Sequence, residues 1–228
     1  MKINKPNSIK KPREQRTTPS FFDFMLTLSQ IIKLSLFMVL TSLPLVTIGL
    51  SITAGYRLCF EVFDEAEDIS LSRYLVVFRE NMKKGIALWI LLVFFAVILY
   101  IDQSLIPQLL SPGLLQSGLY GIFFILSILL HWVFFYSFPL LSIIENTIVL
   151  TLRNALYLSI RFIPHTLLVT LIHGLPILFY ILFPAAAFRV LPLYILLFPG
   201  FVVYFSAKVF WHVLSHFELG TQEEPSEH

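Results

Sequence analysis

Two histidines near the carboxyl end of the sequence are spaced as metal ligands can be. His212 and His216 lie four residues apart with Glu218 close by, so on a helix both imidazoles share one face. The spacing fixes no third ligand, and the sequence contains no HExxH motif. The pair also falls at the end of the last apolar segment, where amphipathic side chains collect. We therefore predict no metal site.

A third histidine lies inside an apolar stretch, in the run Ile-His-Gly-Leu-Pro at 172–176. Ionisable residues within a membrane are functional candidates that face the bundle interior. The alternative for His173 is a neutral imidazole hydrogen-bonded to a neighbouring helix, at a kink that Gly174 and Pro176 allow. His131 has the same two interpretations.

The sequence lacks the other arrangements that support catalysis. It contains no nucleophile elbow, no phosphate-binding loop and no paired carboxylates, and Gly49 and Gly55 are too isolated to cradle a phosphate. We predict no catalytic residue and no cofactor, and hence a protein that is not an enzyme. An intramembrane enzyme with dispersed catalytic residues is the alternative.

The composition indicates that these residues lie in a membrane. The chain has 228 residues, of which 57% are hydrophobic and 23 are Phe, and its mean hydropathy of +0.82 is outside the range of soluble domains. The single cysteine, Cys59, excludes an internal disulfide, and a net charge of +2 does not indicate a nucleic-acid partner. The predicted fold class is all-α, a polytopic transmembrane helix bundle in contact with the lipid bilayer.

Six apolar segments reach or approach the roughly 20 residues that a helical span needs. Five clear segments and a marginal sixth run over 21–43, 85–101, 114–140, 166–183, 190–213 and 45–60. We predict five to six spans in a single helical domain over residues 21–217. A basic cytoplasmic tail, 1–20, and an acidic tail, 218–228, are predicted to be disordered.

The basic residues set the predicted orientation. Five of them lie near the end of the marginal segment or between it and the next one, whereas residues 102–113 contain no Lys or Arg. The five are Arg57, Arg73, Arg79, Lys83 and Lys84. The positive-inside rule places the first connection in the cytoplasm and the second outside. We therefore predict a multi-pass protein of the cell membrane with both termini in the cytoplasm.

The stretch Leu43–Gly49 decides how many times the first apolar block, residues 21–60, crosses the membrane. Pro44 lacks a donor and disfavours the helical conformation at Leu43, and Gly49 permits the backbone angles of a tight turn. A single helix kinked at Pro44, which is the alternative, would put the five basic residues outside. We therefore predict a hairpin with a short return limb that spans or re-enters. Its turn is expected inside the bundle or near its outer mouth.

Two segments predicted to be cytoplasmic show the periodicity of amphipathic helices. In 72–85 the apolar positions are Tyr74, Leu75, Phe78 and Met82. In 145–165 the predicted face is Leu152, Leu156, Ser159 and Ile160, opposite Arg153, Asn154 and Arg161. These patterns predict interfacial helices that present a surface to a partner.

Two ion pairs are suggested by position. Arg57 and Glu61 are four residues apart and can pair on one helix face. Glu145 can pair with Arg153 or Arg161, either between buried helices or as a surface pair that contributes almost nothing.

Short motifs along the chain carry a family resemblance. They are Leu43–Gly49 with Thr53–Ala54, then Tyr74, Phe78, Asn81 and Lys84, then Phe138–Leu140, Glu145–Thr147 and Leu152–Ala155. Their order and spacing, over about residues 21–213, resemble the YesL-like family of small bacterial membrane proteins. The resemblance implies no established molecular function, but it implies an association with carbohydrate uptake, often beside binding-protein-dependent sugar importers. The family pattern has proline where this sequence has Leu50. This difference affects the expected geometry of the turn.

On this resemblance we expect an accessory or interaction protein whose partner is a permease or ATPase subunit of a sugar importer. The candidate motif or partner-contact residues are Pro44, Thr47, Gly49, Tyr74, Phe78, Asn81, Glu145, Asn146, Arg153, Asn154 and His173. The alternative function is a self-contained small transporter or channel. In that case interruptions at 44–49, 174–176 and 199–200 would line a substrate site, as broken helices do.

Overall fold

The computed structural model describes residues 21–65 and 68–222. The predicted basic tail, 1–20, and the end of the predicted acidic tail, 223–228, lie outside these residues. The described chain is helical and contains no strand, which confirms the predicted all-α class. Its helices are α1 (Phe21–Thr41), α2 (Ile48–Glu65), α3 (Leu71–Glu80), α4 (Met82–Leu109), α5 (Leu114–Ile143), α6 (Ile148–Arg161), α7 (Ile163–Leu182) and α8 (Pro184–Gln222).

Six of these helices are long and apolar enough to cross a membrane, namely α1, α2, α4, α5, α7 and α8. The number agrees with the predicted five to six. Helix α4 is longer than the apolar segment that predicted it, because it continues through Asp102 and Gln103 to Leu109. It ends before Pro112 and Gly113, which are typical helix-terminating residues.

The first apolar block is a hairpin, as predicted. Helix α1 ends at Thr41, and Pro44 has extended backbone angles, φ −76° and ψ 117°, before a 3-10 turn at Leu45–Thr47. The alternative of one kinked helix is therefore wrong. The role predicted for Gly49 is also wrong, because this residue lies inside the first turn of α2 and does not form the bend.

The predicted amphipathic helix α3 forms, and its predicted apolar residues divide between the protein and the surface. Tyr74 and Val77 are buried, whereas Leu75 is 37% exposed. Met82 does not extend the predicted face, because the chain bends at Asn81 and Met82 begins α4.

The residues of the second amphipathic helix, α6, divide in the same way. Its buried residues are Thr151, Ala155, Leu158 and Ser159. Of the predicted apolar face, Leu156 is 39% exposed and Ile160 is 50% exposed. The face of α6 that packs on the protein therefore combines small side chains with Leu158 and the partly buried Leu152, whereas Leu156 and Ile160 point away from it.

The core lies where α2, α5 and α8 meet. Phe210 of α8 packs edge-on against Tyr56 and Tyr136, with ring centroids 5.8 Å and 4.6 Å away. All three side chains are buried. Aromatic pairs of this geometry add to the stabilisation that burial gives.

Helices α7 and α8 run without a break past Pro176, Pro192 and Pro199. Two of the three helix interruptions expected of a transporter are therefore not formed. Gly200 instead brings α8 close to α1, because a Cβ there would lie 2.5 Å from the carbonyl oxygen of Ile31. Close approach of helix backbones is the usual role of glycine in membrane bundles.

Candidate functional site

Four hydroxyl side chains meet where α1, α2 and α3 come together, and we call this group the hydroxyl joint. The Thr41 hydroxyl lies 2.9 Å from that of Ser51 and 2.7 Å from that of Tyr74, and it donates to the carbonyl oxygen of Phe37 at 2.8 Å. The fourth member, Thr47, donates to the carbonyl oxygen of Thr41 at 2.6 Å. The bond from Thr47 satisfies the carbonyl of Thr41, one of those that the end of α1 leaves open.

Tyr74 is the member of the hydroxyl joint that comes from α3. Its side chain is buried, and its ring stacks on Phe78, with centroids 6.1 Å apart. Burial raises the pKa of Tyr74 to about 12, against hydrogen bonds from Thr41 and Ser51 that lower it. The phenol therefore stays neutral at physiological pH, and the joint contains no charge.

The turn lies beside the start of α4 and the end of α5. A Cβ on Gly49 would meet the Trp89 side chain at 2.6 Å and the Phe138 ring at 2.8 Å. Trp89 is 20 residues, or about 30 Å of helix, from the end of α4 at Leu109. The turn is thus far from the connection between α4 and α5.

Among the described residues, the expected cover over the turn is not present. Leu43 and Leu45 are each 75% exposed and Val46 is 49% exposed. Gly49 and Leu50, which follow the turn, are buried. The predicted position inside the bundle is therefore wrong, although the 3-10 turn Leu45–Thr47 lies against α4 and α2. The predicted position near the outer mouth depends on which side of the membrane the turn faces, and it stays a prediction.

The hydroxyl joint is the first point at which α3 is fixed. The second is an ion cluster around Glu61 of α2. The guanidinium of Arg57, four residues earlier, donates to Glu61 at 2.9 Å, which confirms the predicted pair. Arg73 of α3 donates to the other carboxylate oxygen at 2.9 Å. Arg57 also donates to the carbonyl oxygen of Ser142 at 3.3 Å, so the cluster joins α2, α3 and the end of α5.

A third fixed point precedes α3. The side-chain amide of Gln30 donates to Asp68, and its oxygen accepts the backbone N–H of Ile69 at 2.8 Å. Ser70 caps the helix, since its hydroxyl accepts the backbone N–H of Arg73 at 3.4 Å. Together the three points hold α3 at its start and along its buried face.

The opposite face of α3 is open. Leu75 and Val76 are 37% and 45% exposed, and Arg79 is exposed at the last turn. Asn81, where α3 ends, donates from its side chain to the carbonyl oxygen of Val77 at 3.0 Å. We call the exposed face of α3 together with the exposed turn residues 43–46 the α3 surface.

The other predicted motif residues lie elsewhere. Glu145 and Asn146 are in the connection between α5 and α6, and Arg153 and Asn154 are on α6. Arg153 and Glu145 are exposed, and neither Arg153 nor Arg161 forms the predicted ion pair with Glu145. The structure therefore brings Thr47 and Tyr74 to the hydroxyl joint, with Phe78 against Tyr74, but it does not bring these four residues there. Pro44 and Gly49 flank the 3-10 turn, and Asn81 lies at the end of α3.

The imidazole of His173 is held within the helices. Its Nδ1 lies 2.8 Å from the carbonyl oxygen of Val169, one turn earlier, and its ring is 3.9 Å from that of Phe135. His131 also packs edge-on against Phe135, with the two ring centroids 4.3 Å apart. Among the described residues no three potential metal ligands come together.

Two polar residues that the sequence did not single out lie between α4 and α5. The side-chain amide of Gln103 donates to the hydroxyl of Ser127 at 2.7 Å. The sequence could have indicated this contact, because a glutamine and a serine inside apolar segments each need a polar partner from a neighbouring helix.

Comparison with known proteins places the hydroxyl joint and the ion cluster inside a recognised sequence region. Residues 31–103 match the profile of a family described as a protein of unknown function, DUF624. The match runs from the middle of α1 to near the end of α4 and includes the whole of α3. No curated protein matches the chain, and no solved structure does. The chain is thus similar, over these residues, to a family whose function is not described.

Proposed function

We propose that this chain is an accessory protein of a bacterial cell membrane that binds a partner protein through the α3 surface. In this proposal the chain is not an enzyme, and both termini lie in the cytoplasm. Its partner is the permease or ATPase subunit of a carbohydrate importer, as the resemblance to the YesL-like family implies.

The observation that carries the proposal is the way α3 is fixed. A ten-residue helix is marginal by itself, because nucleation is costly and few hydrogen bonds repay it. Here the Gln30 contacts, the Glu61 cluster and the hydroxyl joint order it before any partner binds. A surface ordered in advance binds with a smaller loss of conformational entropy.

The chemistry of the α3 surface supports binding to protein. Apolar side chains at Leu75 and Val76 stand beside the basic side chain of Arg79, and Lys83 and Lys84 follow on the first turn of α4. Such a surface complements an apolar patch with acidic residues at its rim. The same basic residues favour a cytoplasmic location under the positive-inside rule.

The proposal is tested by crosslinking in cells. A photoreactive residue replaces Leu75, which is better suited than the half-buried Phe78, and a second variant carries it at Leu156 on α6. The control carries it at Ile181, which is 68% exposed on α7. We expect position 75 to capture an importer permease or ATPase and position 181 to capture none.

Capture of lipid alone from Leu75 at native expression would contradict the proposal. The competing transporter hypothesis is tested separately, by sugar uptake into liposomes that contain only the purified chain. Uptake in the absence of any other protein would replace the accessory role with a transport role, and an unchanged rate in His173→Ala would remove that histidine from it.

A further inference from the structure

A groove of about 290 Å³ opens between α4 and α5. Apolar side chains form most of its wall, and four polar residues line it, namely Tyr100, Gln103, Ser127 and His131. The bond between Gln103 and Ser127 sets the register of these antiparallel helices. Because residue 103 lies opposite 127, Tyr100 lies opposite residues 130 and 131. Tyr100 and His131 are therefore at the same height along the helix pair.

Two of these polar groups have no partner among the described residues. Tyr100 is 73% exposed, and its hydroxyl makes no hydrogen bond there. The ring of His131 packs on Phe135, but its nitrogens make no hydrogen bond in the described part of the chain. Lipid tails provide neither donors nor acceptors, so polar groups left open in a span are costly.

The two groups are complementary to each other. The phenol of Tyr100 is a donor, and a neutral imidazole such as that of His131 offers one acceptor nitrogen. Two copies inserted in the same direction are related by a twofold axis along the membrane normal, which keeps every residue at its own depth. A twofold contact repeats each interaction, so the pair is formed twice.

We propose that a second copy of this chain covers the groove, so that Tyr100 of each copy donates a hydrogen bond to His131 of the other. A second copy brings both required groups at the required depth, whereas a different helix would need to carry both independently. The inference concerns α4 and α5 and is independent of the α3 surface.

The first test measures dimerisation in lipid vesicles, by energy transfer between two fluorescent labels as the protein is diluted with lipid. Tyr100→Phe and His131→Phe each remove one partner of both symmetric bonds. We expect each to weaken dimerisation by about tenfold, the effect of two intramembrane hydrogen bonds of ordinary strength. The double variant should be no weaker than either single variant, because the same bonds are already lost.

Tyr180→Phe is the matched control, since Tyr180 is 52% exposed on α7 and its replacement should leave dimerisation unchanged. A monomeric wild type, or equal dimerisation of Tyr100→Phe and wild type, overturns the proposal.

A second test detects the dimer directly and does not depend on a change in affinity. A photoreactive residue at Ala96, on the groove, should produce a crosslinked dimer in membranes, and the same residue at Ile181 on α7 should not. A crosslink from position 96 only to a different protein overturns the proposal.

Discussion

Gly49 and Gly200 stand where helices touch, whereas Gly118 and Gly121 face open space. The sequence alone does not separate them, because a glycine at a helix contact and one facing lipid look the same along the chain. The distinction depends on which side chains a neighbouring helix brings. For Gly49 these are Trp89 and Phe138, from two different helices.

Gly49→Ala should destabilise the protein by about 1–3 kcal/mol, the usual cost of overpacking. The added Cβ would lie 2.6 Å from that of Trp89, so α4 must move. Thermal unfolding in detergent measures the change. Gly121→Ala is the control, since nothing described lies within 4 Å of its added Cβ, and it should leave the melting temperature unchanged or slightly raised. Equal melting temperatures for the two variants would contradict the packing described.

The Glu61 cluster shows what residue spacing can predict. Arg57 is one helical turn from Glu61, so the pair follows from sequence. Arg73 is twelve residues away on another helix, and only the fold brings it to the same carboxylate.

Glu61→Gln should lower the free energy of unfolding by about 1–3 kcal/mol. Removing one member of a fully buried ion pair lowers the free energy of unfolding by more than this amount. Here the side chain of Arg73 is 44% exposed, so water screens part of the interaction. Chemical denaturation in detergent measures the loss. Glu80→Gln removes an exposed carboxylate from the end of α3 and should have no effect; a matching loss there would show that net charge, and not the cluster, is responsible.

Among the elements, the helices and the first hairpin were predictable, but the buried faces of α3 and α6 were not. Apolar length and Pro44 determine where helices begin and end. The side of a short helix that faces the protein depends on tertiary partners, and at Tyr74 the partners are the Thr41 hydroxyl on α1 and the carbonyl oxygen of Ser51 on α2. In a membrane protein large apolar residues also face lipid, so the apolar face is not necessarily the packed one.

Tyr74→Phe should loosen α3 while leaving the other helices in place. The variant loses the hydrogen bond to Thr41, which contributes about 1 kcal/mol. We expect a small fall in melting temperature and a lower crosslinking yield from position 75. Tyr120→Phe, at a tyrosine of α5 that is 36% exposed, is the control for both measurements. An undiminished yield from position 75 would show that the hydroxyl joint does not order the α3 surface.

For the whole molecule, the position of the turn could not be predicted from the sequence. Charge asymmetry places the connection after α4 on one side and the basic residues on the other. The contacts of Gly49 place the turn near the basic start of α4, about 30 Å of helix from that connection. Of the two alternatives for the return limb of the α1–α2 hairpin, a full span and a re-entrant limb, we therefore expect the second, with the hairpin entering the membrane from the basic side.

Cysteine labelling in intact cells tests this arrangement. A membrane-impermeant maleimide should label Leu114→Cys, which is 92% exposed at the start of α5. Leu45→Cys and Arg79→Cys should react only after the cells are permeabilised. The native Cys59 is fully buried and provides an unreactive background. Labelling of position 45 from outside would show that the hairpin crosses the membrane completely.

The two kinds of contact that hold α3 respond differently to the surroundings. Salt weakens the contact of Arg73 with Glu61, because the arginine is partly in water. The contact of Tyr74 with Thr41 is uncharged and buried, so salt leaves it intact. High ionic strength should therefore weaken the attachment of α3 to α2 at Arg73, while the uncharged contacts of Ile69 with Gln30 and of Tyr74 with Thr41 keep the helix in place.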